Sequence, residues 1–383
     1  MFKKNTEYKM CTACVMDTSD EMIKFDSDGV CNHCLKFENL SKTSWFPGED
    51  GKVKWREIVE RIKSSGEGKD YDCILGLSGG VDSSYLAIKL KDFGLRPLVV
   101  HIDAGWNSEL AVANIEAVVK YCGYDLYTHV VDWEEMRDLH LSYLRAGVSN
   151  QDVPQDHIFF SSLYHFSIKN GIKYILSGGN FATEGVSPYS WHGTAMDAIN
   201  LKAIHKKYGT KKIKNYKTIS FFQYYIWYPL FRKMRTVRPL NFMPYDKELS
   251  LAELQRTVGY KLYARKHGES QFTKLFQNYY LPLKFGYDKR RPHFSSLIVS
   301  GQMTREIAIE KLKEPLYDPA QIELDISYFC KKLRISRDEF EGFMSAPIHH
   351  YTDFPNWDRM YRVVKLLQKF VSCITGKRWN IYS

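Results

Sequence analysis

Asp72-Cys73-Ile74-Leu75-Gly76-Leu77-Ser78-Gly79-Gly80-Val81-Asp82-Ser83-Ser84 joins an apolar run to a Ser/Gly turn and then to a helical pattern. The run 72–77 reads as a buried strand. Residues 82–93 have helical spacing and stop at Gly94, a natural C-cap. Between them, Gly79 and Gly80 let the backbone turn sharply and approach an anion closely. Successive N–H groups at Gly79, Gly80 and Val81, with the positive end of the helix, make a nest for phosphate. Ser78, Ser83 and Ser84 add hydroxyl donors. Asp82 is out of place in an anion nest unless it holds a cation, so bridging Mg²⁺ to phosphates is its natural role. The GKS ending of a Walker A loop is absent, and so is a GxGxxG fingerprint. The plain alternative is a Ser/Gly turn that only caps a helix.

Outward from this loop, strands alternate with helices. PLVVHI (97–102) is a strand, 109–122 a helix closed by Gly123, and 126–131 a third strand. Helices at 133–145 and 155–170 precede a fourth strand, KYIL (173–176). This alternation implies right-handed crossovers and a parallel sheet, an α/β domain whose apolar strands are covered on both faces. Asp103 ends the second strand, and Ser177-Gly178-Gly179-Asn180 follows the fourth with Glu184 just beyond. Ligands in open α/β sheets bind at such strand ends. A loop cap at Asp103 and a plain surface position at Glu184 stay open. After about residue 185 the strand signals fade, and residues 300–375 look mostly helical, with Ser336 a plausible N-cap.

Cys11-Thr12-Ala13-Cys14 and Cys31-Asn32-His33-Cys34 place two CxxC turns near the start. Each turn puts two thiolates on one side of a tight loop, and two turns complete a tetrahedron for a structural Zn²⁺. An iron–sulfur cluster and four free thiols are the alternatives, and His33 is a possible substitute ligand. The expected organisation is a zinc-binding unit at 1–45, a connector at 46–69 with a helix over 55–64, the nucleotide domain at 70–245, and a mainly helical region at 246–383.

The whole chain has 383 residues, 44% apolar and 15% aromatic, which excludes disorder as the main state. The formal charge of +10 implies an anionic partner: nucleic acid, a phosphorylated small molecule or a membrane surface. Met1-Phe2-Lys3-Lys4-Asn5 is basic, but no apolar signal-peptide core follows, and no window reaches a membrane span. A cytoplasmic enzyme is expected. The most apolar stretch, 219–231 (ISFFQYYIWYPLF), is interrupted by Pro229 and reads as core or interface.

SGGVDSS (78–84) resembles the PP-loop of ATP pyrophosphatases, an adenine nucleotide alpha hydrolase-like fold. The resemblance implies ATP bound at Ser78, Gly79, Gly80, Val81, Asp82, Ser83 and Ser84, with Asp103 and Gly178 nearby. These enzymes adenylate a carbonyl oxygen and release pyrophosphate, and a nucleophile then displaces AMP. Beyond the loop, CTACVMDTSD (11–20), GVCNHC (29–34), HIDAGWNSELAVANI (101–115) and the block 264–308 resemble the N-acetyl sugar amidotransferase family of lipopolysaccharide and surface-polysaccharide synthesis. What that implies is conversion of an acetamido group on a nucleotide-linked sugar to an acetamidino group. Ammonia would come from a separate glutaminase and a cyclase-like protein. The chain begins Met1-Phe2 with no Cys at position 2, so no fused N-terminal-cysteine glutaminase is expected.

Lys266, His267, Lys289, Arg290 and Arg291 become candidates for stabilising charge at the α-phosphate or for gripping the sugar nucleotide's diphosphate. Lys266 and Arg290 are taken as catalytic, with an exposed basic face as the plain alternative. Glu269 becomes a candidate for binding Mg²⁺ or deprotonating ammonium. Asn180, Glu184, His267, Lys289 and Arg291 become candidates for the sugar nucleotide. The first rival is a tRNA-thiolating PP-loop enzyme, which the charge would suit. It needs a reactive cysteine pair near the loop, where Cys73 and Cys122 look buried. The second rival is a nucleotide-binding scaffold without catalysis. Nucleic acid is not the expected partner.

Overall fold

The computed structural model describes residues 7–191, 193–263 and 269–375. Five strands form one sheet in the order β3-β2-β1-β4-β5, every neighbouring pair parallel. They are β1 (Cys73–Gly76), β2 (Pro97–Asp103), β3 (Leu126–Val130), β4 (Tyr174–Leu176) and β5 (Arg235–Val237). β1 lies between β2 and β4, with Leu75 opposite both Val99 and Leu176. The strand order therefore reverses at β1, which opens a crevice at the strands' carboxyl ends.

Two apolar cores cover the sheet. On one side Trp55, Ile58 and Ile62 pack with Leu75, Leu86 and Val99. On the other, Ile74, Val100 and Ile175 pack with Met136, Leu139 and Ile158. Helix Glu109–Cys122 starts at Ser108, whose hydroxyl accepts from the Ala111 amide, and ends at Gly123 in the left-handed region (φ 70). Ser336 begins helix Arg337–Ser345 with a full capping box. The parallel sheet, the cysteine cluster near the N-terminus and the helical C-terminal region match the expected fold class.

Three expectations need correction. β3 is an edge strand, with Leu126, Tyr127 and Val130 all exposed, so only some strands are buried on both faces. β5 escaped the sequence reading because Arg-Thr-Val is too short to show a period. The connector helix runs over Glu49–Gly66, longer than 55–64, because Trp55, Ile58, Val59 and Ile62 give it a stripe that packs on the sheet domain.

The C-terminal helices share cores with the sheet domain. Trp106, Leu141 and Leu144 pack with Phe272, Phe329 and Phe340. The cysteine unit packs against Val186 and Trp191.

Candidate functional site

β1 delivers the loop 78–80 and helix Val81–Lys91 starts directly after it. Gly79 has φ +85, and a Cβ there would sit 2.9 Å from the Ala111 carbonyl oxygen. Only glycine tolerates both conditions. Tyr260 and Tyr263 donate from their hydroxyls to the Gly79 carbonyl at 2.7 and 2.9 Å. Ser83 Oγ accepts from the Ser78 amide at 3.3 Å and lies 3.1 Å from Ser78 Oγ. Ser78 is exposed at the loop's surface, whereas Ser84 is fully buried. Ser84 thus lies beneath the loop, away from the surface on which Ser78 stands, and its buried Oγ has no hydrogen-bond partner among the described residues.

Asp82 is half-buried in the helix's first turn and accepts a hydrogen bond from the Tyr245 hydroxyl. Burial, and then the Asp82 carboxylate, push the Tyr245 hydroxyl well above the ordinary tyrosine range. Tyr245 is thus a fixed donor, and sequence reasoning had no motif by which to find it.

The other side of the crevice follows β4. At Gly178 a Cβ would lie 2.6 Å from the Ser83 nitrogen, so the backbone rests directly on the loop helix. At Gly179 a Cβ would lie 3.2 Å from Glu184 Oε2 and 3.6 Å from Arg238 Nε. Arg238 is a second residue that the sequence reading missed. Asn180 is 1% exposed, accepts from the Thr183 amide at 2.9 Å and donates to the Gly178 carbonyl at 3.4 Å. It caps helix Phe181–Glu184 and is a structural residue, contrary to its expected substrate role.

Asp103 Oδ1 accepts from the Gly105 amide at 2.8 Å and from Asn107 Nδ2 at 3.1 Å. It braces the turn after β2. That turn receives the C-terminal region: Ser108 N donates to the Glu269 carbonyl, Gln271 N donates to the Trp106 carbonyl, and Asn107 pairs with Ser270. Glu269 is thereby brought to the loop, its Oε1 3.6 Å from where a Gly80 Cβ would stand. Lys266 and His267 lie outside the described residues.

The basic residues beyond divide sharply. Arg290 uses all five donors on protein: Asp288 and the carbonyls of Lys311, Leu312 and Glu314. It clamps two helices and has nothing left for an α-phosphate, which corrects its expected catalytic role. Arg291 bonds the Val15 carbonyl at 2.9 Å and pairs with Asp17 at 3.0 Å, so it braces the cysteine unit instead of a sugar nucleotide. Lys289 stays near the crevice, where its charge acts on Asp156.

Asp156 is another group the sequence did not flag. It stands in the first turn of helix Val153–Lys169, which runs back towards β4. Burial first, then the Asp152 and Glu184 charges, push its carboxyl up to about 8, with Lys289 opposing. Neighbouring Asp152 accepts from Thr273 Oγ1 at 2.9 Å and Gln155 bonds Ser270, so this acidic wall abuts the segment that carries Glu269.

At the N-terminal unit, Cys11, Cys14, Cys31 and Cys34 put their sulfurs within 4.8 Å of one another. Three separations are 3.7, 3.7 and 3.9 Å. A Zn–S bond of about 2.3 Å gives tetrahedral edges of about 3.8 Å, so the donor set fits a single Zn²⁺. Amides of Ala13, Cys14 and Cys31 donate to Cys11 Sγ, and hydrogen bonds from Cys14, Cys31 and Cys34 push its thiol down. His33 is instead bound to Asp20 at 2.6 Å. Arg305 donates to the carbonyls of Cys11 and Cys14 and ties the unit to helix Arg305–Lys313.

Comparison with known proteins bears on the C-terminal region. Residues 269–368 match the family model described as "LPS biosynthesis protein WbpG-like, C-terminal domain". This agrees with the resemblance to lipopolysaccharide-synthesis enzymes drawn from the sequence. The domain begins at Glu269, the residue that meets the loop. No curated protein matches the chain.

Among solved structures, the chain is similar to NH3-dependent NAD synthetase from Campylobacter jejuni, with 14% identity over 40% of this chain and 72% of that one, TM-score 0.27. It is also similar to the U34-tRNA thiolase NcsA from Methanococcus maripaludis, with 15% identity over 67% and 79%, TM-score 0.32. A third is NMN synthetase from Francisella tularensis, with 13% identity over 56% and 88%, TM-score 0.28. At these scores the sheet's own topology, not the alignments, defines the fold.

Two outcomes follow from this geometry. Elemental analysis of the purified chain will find one zinc per molecule, and Cys14→Ser will lose it; a native chain free of zinc contradicts the site. In the folded state Asp156 keeps a proton up to about pH 8, whereas an unfolded aspartate releases it near pH 4. The folded chain binds the extra proton in that window, so this group lowers stability as pH rises through it. Urea titrations will show Asp156→Asn gaining stability over the native chain between pH 5 and pH 9; parallel curves contradict it.

Proposed function

We propose that the chain is an ATP-dependent, AMP-forming amidotransferase that converts the acetamido group of a nucleotide-linked N-acetyl sugar to an acetamidine for lipopolysaccharide or surface-polysaccharide synthesis. The observation that carries this reading is the junction at the loop. A glycine-bearing anion nest on a switch-point strand faces Asp82, and the first residue of a WbpG-like domain closes over it.

An amide is a poor electrophile and its oxygen a poor leaving group. Its carbonyl oxygen attacks the α-phosphorus of ATP, the bond to the β-phosphate oxygen breaks, and pyrophosphate leaves into the loop. Ammonia adds to the carbon of the resulting O-adenylyl imidate. AMP then departs with the former carbonyl oxygen, leaving the amidine. The loop's amides and Ser78 and Ser83 hold the departing pyrophosphate. Asp82 and Glu269 flank the loop with carboxylates, a donor set that fits Mg²⁺. Bound Mg²⁺ would neutralise phosphate charge. Arg238, whose Nε stands 3.6 Å from where a Gly179 Cβ would sit, is the cation this reading assigns to charge developing on the α-phosphate. Glu269 and Asp156, on two walls of the crevice, are the groups suited to take a proton from ammonium. Glu184 and Lys289 remain candidates for the sugar nucleotide, and ammonia is expected from a separate glutaminase and cyclase-like pair.

The thiolation alternative lacks support at its cysteines. Cys73 and Cys122 are buried, and burial pushes both thiols up, Cys122 to about 11. A thiolate nucleophile needs the opposite shift.

The test is AMP release from ATP, Mg²⁺ and ammonium chloride against a panel of acetamido nucleotide sugars. Turnover is expected with one sugar, and Asp82→Asn lowers it about 100-fold or more while zinc content is kept. Activity with tRNA and none with any sugar would overturn the assignment.

A further inference from the structure

Among the described residues, helix Asp358–Thr375 is docked by a narrow face only. Tyr361 and Val364 pack on the core beside the buried Trp357, and Tyr225 meets Tyr361 at 5.7 Å between ring centroids. The opposite side carries an apolar stripe that nothing among the described residues covers. Met360, Val363, Leu366, Leu367 and Phe370 are 39, 56, 68, 57 and 65% exposed. At 100° per residue these five fall within an arc of about 120°.

The charges along the helix are one-sided. Arg359, Arg362, Lys365 and Lys369 are exposed, and Asp358 is the helix's single acidic residue. Lys365, Lys369 and Arg362 line one flank of the stripe. The segment that packs against the start of this helix has the same character. It exposes Phe222, Trp227 and Phe231, followed by exposed Arg232 and Lys233.

An apolar stripe flanked by cations, with Trp and Phe beside it, is suited to the boundary between lipid headgroups and acyl chains. The apolar side chains enter the acyl boundary while the basic flank meets anionic headgroups. Two copies meeting through this face would set like charges against each other. Among the described residues no helix is long and apolar enough to cross a membrane, so the contact lies along the surface.

We propose that helix Asp358–Thr375 docks the protein on an anionic lipid bilayer surface. The inference does not depend on the amidotransferase reading. It places the chain beside a lipid surface, whatever reaction it performs.

The full chain is sedimented with vesicles of phosphatidylcholine mixed with phosphatidylglycerol, and with vesicles of phosphatidylcholine alone. Binding to the anionic vesicles is expected, with little to the neutral ones. Lys365→Gln with Lys369→Gln lowers partitioning about 30-fold. Leu366→Ser with Phe370→Ser lowers it about 100-fold or more. Both pairs are solvent-facing, so melting temperatures stay at the native value; the Lys pair carries the test alone if the apolar pair fails to fold. No partitioning, equal partitioning on both vesicles, or native partitioning in both variants overturns the proposal. So does a dimer in solution that Leu366→Ser with Phe370→Ser abolishes.

Discussion

The backbone after β4 lies on the first turn of the loop helix with no room for a side chain: a Cβ at Gly178 would stand 2.6 Å from the Ser83 nitrogen. This contact fixes the width of the crevice. It requires that β1 and β4 be neighbours, so the strand order must reverse there. It also requires that Gly79 turn with positive φ, so that the chain leaves β1 and enters the helix at once. A larger residue at Gly178 would push apart the two walls that carry the phosphate loop and the turn after β4.

The third wall arrives from far away in sequence. Backbone pairing of 269–271 with 106–108 sets Glu269 beside Gly80, and the aromatic core around Trp106, Phe272 and Phe329 holds that pairing in register. The cysteine unit contributes indirectly. Arg291, Ser295 and Arg305 bind backbone groups of residues 11–15, so the metal-fit knuckles support the helices that follow the crevice-forming segment. A site built from three such segments depends on global packing, not on one motif.

That dependence explains what could be read in advance. The loop 72–84 was legible because an apolar run, two glycines and a helix start must occur together to cradle phosphate. The cysteine pairs were legible because ligand spacing is set by the metal. Arg290 and Arg291 were not legible as clamps, since a cation's partner is chosen by tertiary packing and Asp288 or Asp17 carries no signal of it. Tyr245, Arg238 and Asp156 were missed for the same reason: single residues, far from the loop in sequence, acquire meaning only where the fold sets them. Asn180 looked like a contact residue because it follows a strand, but its side chain is spent on capping a four-residue helix.

The central claim is that the acetamido oxygen becomes bonded to the α-phosphorus of ATP. It is tested by supplying the nucleotide sugar with ¹⁸O in its acetamido group, together with ATP, Mg²⁺ and ammonium, and reading the products by mass spectrometry. The account predicts one ¹⁸O in the phosphate of AMP and none in pyrophosphate. An amidine formed with unlabelled AMP, or label released as water, would contradict it.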